Sequence, residues 1–263
     1  MPFHKVNSIR YYCFDIFETS ALTHAVFTRQ GGLSPRPWDS LNMGASAMVL
    51  DDHDRVRNNR ILAFNALGRE PESMYDVWQV HSVDVVCAEK PRPRDVPHIK
   101  ADAILTDNPE VTLFMRFADC VPILLYDPVQ RVVGVVHAGW QGTVRKILSV
   151  VVEAMVERYQ SKPEDIQAGI GPSIAAHHYE VGVEVVEQVR QVFGEDAERL
   201  LPAPDGAVQF DLWRANQLLL EQAGVRDIQI SGICTACHLD DWYSHRAEKG
   251  KTGRFGALIG LNA

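Results

Sequence analysis

Short apolar runs, rich in Val and Ile and bounded by Asp, Pro and Gly, recur at residues 25–28, 77–80, 83–86, 103–105, 112–117, 121–126 and 132–136, then at 166–170, 228–233 and 257–261. Their length and composition predict strands. Helical spacing appears in four places. Val56, Ile61, Leu62 and Phe64 follow candidate caps at Asp51 and Asp52 and stop at Gly68, and Ile147, Leu148, Val151, Val152, Met155, Val156 and Tyr159 form an i, i+3, i+4 stripe. Residues 183–193, closed by Gly194, and 212–223, closed by Gly224, give the other two helices. Strands crowd the first half and helices enter later, which predicts a mixed α/β (α+β) layered fold rather than a strictly alternating parallel one. The Pro-rich charged segment 89–98 is flanked too closely by apolar runs to be a linker and reads as a loop, as does 202–206, so a single domain over residues 1–263 is expected.

Composition narrows the partners. A chain of 29.4 kDa with 46% hydrophobic residues leaves roughly 11,000 Å² exposed and builds a core without disulfide or metal staples. Its net charge of −8, with no long basic run, argues against nucleic acid or an anionic membrane as the main partner. Five cysteines, an odd and sparse set, read as reduced thiols, and the first residues lack the apolar run of a signal peptide. Long uncharged stretches, such as that from residue 132 up to Arg145, are too short to cross a bilayer. A cytoplasmic protein is expected.

The densest chemistry lies between residues 116 and 142. Two apolar strands flank Asp127-Pro-Val-Gln130, a four-residue hairpin loop. If Tyr126 pairs with Arg131, Cys120 falls opposite His137 on the same face, an arrangement suited to two ligands of one metal or to a thiol and its base. A slip of one residue would separate them. A buried Cys or His is ordinarily a packing residue, but here Asp119 precedes the Cys and Ala138-Gly-Trp-Gln-Gly142 follows the His, a glycine-flanked turn that lets backbone approach a ligand. His81, between two further apolar runs, completes a Cys-His-His set; three protein ligands with a fourth position open is the pattern of a catalytic zinc. The spacing matches no compact zinc-finger pattern.

Together Gln79-Val-His-Ser, Ala118-Asp-Cys-Val-Pro-Ile-Leu-Leu, His137-Ala-Gly-Trp-Gln-Gly and Gly171-Pro-Ser-Ile, with Thr28-Arg-Gln-Gly-Gly-Leu-Ser, Ser40-Leu-Asn and the closing Tyr243-Ser-His-Arg-Ala-Glu-Lys-Gly-Lys-Thr-Gly-Arg254, resemble the purine nucleoside phosphorylase family of the laccase-domain, or multicopper polyphenol oxidoreductase, type. Bacterial members of that family are also called peptidoglycan editing factor. The resemblance implies one domain of sandwiched sheets and helices, laccase-domain (cytotoxic-necrotizing-factor-like) in type. It implies zinc on His81, Cys120 and His137, phosphorolysis of adenosine, inosine, guanosine and methylthioadenosine, and deamination of adenosine. Asp119, Cys120 and His137 are the implied catalytic residues, Asp119 as acid/base. Arg29, Arg246 and Arg254 are candidates for holding phosphate, and Asn42 and Gln79 for orienting substrate. The chain departs from the family pattern in three places: Ser173 stands where a Cys is expected, His177-His178 where a Cys-Cys pair is expected, and Gln141 where an Arg would add a cation for phosphate.

Other readings use the same residues. Copper suits the same donors, but the ten histidines are scattered and no His-x-His occurs, so polyphenol oxidation ranks below zinc chemistry. Cys120 could act as the nucleophile of a thiol hydrolase, with His137 as base, Asp119 or His81 as orienter and backbone N–H groups near Val121 or Gly139 stabilising an oxyanion. A non-catalytic protein editing peptidoglycan precursors through a partner is the alternative from another class. Cys234-Thr-Ala-Cys237-His238 satisfies the c-type haem pattern and reads first as a structural turn; a redox or auxiliary metal role there requires both thiols exposed.

Overall fold

In a computed structural model, which describes residues 2–17, 19–45, 50–204 and 206–263, the chain forms strands β1 (Phe3–Val6), β2 (Ile9–Tyr12), β3 (Leu22–Phe27), β4 (Met74–Tyr75), β5 (Val85–Cys87), β6 (Ala103–Thr106), β7 (Thr112–Phe117), β8 (Val121–Asp127), β9 (Val132–Ala138), β10 (Gln167–Ile170), β11 (Asp227–Ile230) and β12 (Phe255–Leu261), all but β1, β2 and β4 on predicted apolar runs. They form two six-stranded sheets, ordered β1-β2-β3-β12-β7-β4 and β11-β10-β8-β9-β6-β5. The helices are α1 (His53–Ala66), α2 (Trp140–Val144), α3 (Ile147–Tyr159), α4 (Val183–Phe193), α5 (Ala197–Leu200) and α6 (Leu212–Gln222).

Side-chain alternation along the strands sorts the chain into layers. Leu113, Met115 and Phe117 of β7, Leu124 and Tyr126 of β8, Val133 and Val135 of β9, and Ala257 and Ile259 of β12 share one core between the sheets. The opposite face of the first sheet, with Ala25, Phe27, Phe114 and Leu258, packs on Ala63 and Phe64 of α1. The opposite face of the second, with Ile123, Leu125, Val132 and Val136, packs under α3, α4 and α6. Burial on both faces explains why the central strands read as continuous apolar runs. The mixed α/β sandwich read from the sequence is the observed fold.

Three details differ from the sequence reading. Residues 77–80 form no strand; Trp78 makes one isolated bridge to Lys100, while the Gln79 amide donates to the Arg116 carbonyl at 2.7 Å and accepts from its N–H at 3.0 Å. That side chain supplies the hydrogen bonds a neighbouring strand would. Strands β1 and β2 and helices α2 and α5 lack the expected periodicity; β1 is mostly exposed and the two helices are five and four residues long. The hairpin register is shifted: Asp127 pairs with Val132 and Pro122 with His137, because Asp127 Oδ1 accepts from the N–H groups of Val129 and Gln130 and moves the loop to residues 128–131. The shift is two residues on the partner strand, so Cys120 and His137 keep a common face. The loop at 89–98 is without helix or strand, as expected, and Arg92 anchors it to buried Asp76 at 2.6 Å. Of the predicted 202–206 loop, Asp205 lies outside the described residues.

Candidate functional site

His137 is the penultimate residue of β9, on the face that points between the sheets, and Cys120 sits just before β8, so both stand at the rim of the inter-sheet core. Phe117 closes the core behind them, its ring centroid 5.5 Å from that of His137. His81 arrives from the loop that replaces the expected strand. The donor atoms of His81, Cys120 and His137 all lie within 4.8 Å of one another. Gly139 leaves them room: a Cβ there would stand 3.0 Å from Cys120 Sγ and 3.2 Å from His81 Cδ2, close enough to press on both. His81 and Asp119 both adopt left-handed backbone, with φ of 60° and 80°, local strain of the kind that collects at functional sites.

Asp102, which the sequence reading missed, ties these parts together. Its fully buried carboxylate accepts from His137 Nδ1 at 2.7 Å and from the N–H groups of Ser82 at 2.7 Å and Val80 at 3.0 Å. One side chain thus fixes the His137 tautomer, leaving Nε2 for the Cys120 side, and also fixes the loop that carries His81. Burial opposes ionisation of Asp102, but the hydrogen bond and charge of His137 and the two N–H groups prevail and lower its pKa. Burial also opposes a charged Cys120–His137 pair. The His137 charge, with hydrogen bonds from His137 and His81, nonetheless lowers the thiol's pKa, and Cys120 and Asp102 raise that of His137.

A cleft of about 610 Å³ opens over this trio, lined by Gln79, Asp119, Arg246 and Arg254 among the predicted residues and by Gly44, Ala45, Trp78, Arg116, Ala118, Trp140, Tyr179 and His245 in addition. Asp119 Oδ1 accepts from the Thr235 hydroxyl at 2.7 Å and Oδ2 from the Arg246 N–H at 2.6 Å, which uses two of the roughly four lone-pair positions of a carboxylate. Arg246 stacks over Tyr179 at 5.0 Å. Burial, then the charges of Cys120 and Asp119, push the Tyr179 pKa up, so its hydroxyl stays protonated. Burial, then Arg254, lowers the pKa of His245. Arg116 donates to the Val77 carbonyl at 2.6 Å and Arg254 to that of Gly253 at 2.8 Å. Among the described residues no carboxylate lies within 4.0 Å of the guanidinium groups of Arg116, Arg246 and Arg254, the Asp119 contact being to the Arg246 backbone.

Two predicted substrate residues stand elsewhere. Arg29 lies outside the cleft, bonded to Glu248 at 3.1 Å and stacked on Tyr243, its charge already met. Asn42 is fully buried, donating to Asp51 and accepting from the N–H groups of Gly44 and Arg254; it shapes the cleft wall without facing it. Gln141 is not among the lining residues, so the missing cation in that turn leaves the cleft's own arginines unchanged. Arg116 had a readable signal, a cation inside an apolar strand. Asp102 had a weaker one, a lone acid before a short apolar run. In the Cys234–Cys237 turn one thiol is buried and one exposed, so the expected condition of two exposed thiols is not met; that excludes the redox role, which needs access to both sulfurs, but was too strict for a metal role, since a buried thiolate can ligate an ion.

The family model for multi-copper polyphenol oxidoreductase laccase matches residues 23–262. A Deinococcus radiodurans protein named purine nucleoside phosphorylase is 41% identical over 243 residues, covering 92% of this chain and 90% of that protein. The Bacillus subtilis protein named purine nucleoside phosphorylase YlmD is 37% identical over 89% of this chain and 86% of its own length. The crystal structure of YlmD from Geobacillus stearothermophilus superposes with a TM-score of 0.91 at 32% identity, covering 100% of this chain and 99% of that one.

Proposed function

This chain belongs to the multi-copper polyphenol oxidoreductase laccase family, and on that footing we propose that it is a zinc-dependent purine nucleoside phosphorylase, folded as one domain over residues 1–263 and working in the cytoplasm. The observation that carries this reading is the meeting, in one cleft, of three arginines whose guanidinium groups have no carboxylate partner among the described residues, aromatic walls and a Cys-His-His donor set. The names of the relatives point the same way.

Each residue has a task in this proposal. Arg116, Arg246 and Arg254 hold phosphate, since two half-buried cations, Arg116 and Arg254, and an exposed one, Arg246, gathered in one cleft are stabilised by a bound anion. Trp78, Trp140 and Tyr179 offer flat faces to the purine. As a phosphate oxygen bonds to the anomeric carbon, the bond from that carbon to N9 breaks, the electron pair leaves with the purine, and the purine takes up a proton. Asp119 is the acid/base group at that step, and its hydrogen bond to the Arg246 N–H positions the arginine. Gln79 acts through the Arg116 backbone it holds, and Asn42 and Arg29 act by positioning the strands and loops behind the cleft.

His81, Cys120 and His137 would hold the zinc. Bond lengths of about 2.3 Å to sulfur and 2.0–2.1 Å to nitrogen place tetrahedral donors roughly 3.6 Å apart, within the 4.8 Å limit that encloses these three, and Asp102 behind His137 is the carboxylate–histidine support common at such centres. Bound there, zinc supplies a Lewis acid with one position open to a substrate oxygen or water. The substrates proposed are adenosine, inosine, guanosine and methylthioadenosine, with deamination of adenosine, in which water replaces the C6 amino group as ammonia, as a second activity. A thiol hydrolase is the second reading, favoured by the lowered pKa of Cys120 beside His137; zinc on the sulfur would block it.

The test incubates metal-quantified protein with adenosine, with and without phosphate, beside Cys120→Ala. Adenine formed only with phosphate, and none from the variant, is the expected result; inosine formed without phosphate reports the deaminase branch. Zinc-loaded protein that turns over no nucleoside would overturn the proposal in favour of peptidoglycan-precursor editing, and turnover that needs Cys120 but survives removal of zinc would favour the thiol mechanism.

A further inference from the structure

We propose that His177, His178, Cys234 and Cys237 form a second zinc site, closed and structural, behind the wall of the same cleft. Strands β10 and β11 are parallel neighbours, so the chain leaves both in one direction and the two following loops run side by side. Ser173 and Cys234 bridge them, with Ser173 N–H donating to the Ile233 carbonyl at 3.2 Å and Thr235 N–H to that of Ser173 at 3.1 Å. The first loop then makes a 3-10 turn, Ala176–His178, which presents two imidazoles to the Cys-x-x-Cys turn.

The separations fit one ion. His177 Nε2 stands 3.1 Å from Cys237 Sγ, and His178 Nδ1 stands 3.6 Å from both Cys234 Sγ and Cys237 Sγ. All four donor atoms lie within 4.8 Å of one another. Nitrogen and sulfur donors of a tetrahedral zinc are roughly 3.6 Å apart, so these atoms already stand near the corners that the ion would require. Two thiolates balance the charge of the dication, and four protein ligands leave no open position, the mark of a structural centre. Cys234 is 4% exposed, and its sulfur accepts from the Ala175 N–H at 3.4 Å, an outer contact that favours thiolate.

The position gives the site its role. The residue after His178 is Tyr179, whose ring lines the cleft, and the residue after Cys234 is Thr235, whose hydroxyl holds Asp119. An ion joining the two turns therefore fixes one aromatic wall and one acidic group of the cleft from outside it.

Zinc content separates this site from the first without reference to turnover. Full-length protein purified under reducing conditions is expected to carry about two zinc ions per chain, Cys120→Ser about one, and the double variant His177→Ala/His178→Ala about one, a halving in each case. Because both histidines are exposed, the double variant should stay folded, as circular dichroism would verify. Cobalt-loaded Cys120→Ser should retain thiolate-to-metal charge-transfer absorption, and adding Cys234→Ser and Cys237→Ser should remove it. Zinc-free Cys120→Ser, or a mass lower by two hydrogens that maps to a Cys234–Cys237 disulfide, would overturn the inference while leaving the purine reading untouched.

Discussion

Replacing Asp102 by Asn tests whether one buried carboxylate organises the metal trio. The carboxylate accepts three hydrogen bonds, one from His137 Nδ1 and two from the loop N–H groups of Val80 and Ser82. An Asn can place its oxygen on only one of these two sides. Turned toward His137, it sets its NH2 against two N–H groups and strands them, at about 1–3 kcal/mol each. Turned toward the loop, it keeps those two bonds and presents NH2 to His137 Nδ1, which must then accept; the ring proton moves to Nε2 and the lone pair meant for the metal is lost. The second orientation costs about 1.5–3 kcal/mol of charge-assisted bonding and leaves the loop in place. Zinc affinity at the Cys120 site should accordingly fall 10–100-fold, about 1.4–2.7 kcal/mol, and adenosine phosphorolysis should fall in parallel. The assay is competition with a chromophoric chelator, following the equivalent of zinc that Cys120→Ser lacks. A folded Asp102→Asn protein whose affinity stays within about threefold of the parent, or about 0.6 kcal/mol, would refute the role assigned to Asp102.

Two further predictions separate the site from the fold. Gly139→Ala keeps a backbone that alanine adopts freely, φ −77° and ψ 176°, yet puts a methyl 3.0 Å from Cys120 Sγ; melting of the metal-free protein should change by under about 1 kcal/mol while zinc affinity and turnover drop at least about tenfold, and wild-type affinity would contradict the crowding argument. Buried His24, between Phe14 and Phe17, accepts from the Phe14 N–H at 2.8 Å, and burial, with a smaller push from His4, lowers its pKa from 6.5 to about 4. Its neutral form belongs to the folded state, so this contribution is full above pH ~6.5 and fades as pH falls toward ~4, amounting to about 3 kcal/mol. Urea unfolding of His24→Gln, whose amide oxygen can take the same N–H, should show a shallower loss of stability over that interval; an unchanged slope would locate the acid sensitivity elsewhere.

Much of the site was legible because its parts lie at the ends of strongly patterned strands. The runs holding Cys120 and His137 are buried on both faces and identify themselves, and although the hairpin register moved, the displacement was an even number of residues and preserved the face. What stayed hidden was long-range. Asp102 joins His81 to His137 across two loops, which no local pattern encodes. Arg29 and Arg254 look equivalent as exposed-type cations in polar motifs, and only the fold reveals that Glu248 neutralises one and that no carboxylate among the described residues pairs with the other. Tyr179 reaches the cleft through a 3-10 turn too short to carry periodicity. The expected strand at 77–80 failed because apolar composition cannot distinguish a backbone ladder from one Gln side chain imitating it.

The place of β12 in its sheet has a consequence for how the chain is made. It is the last of the described strands to be synthesised, yet it lies between β3 and β7 and pairs with both. Until it emerges, the two halves of the first sheet have open edges that face each other across a missing strand, and Arg254, immediately before it, has no cleft to enter. The second sheet can assemble around its hairpin on the ribosome; the first must wait. A translating chain thus passes through a stage with half a sandwich formed and sticky edges exposed, the interval in which a chaperone would find its longest opportunity to bind.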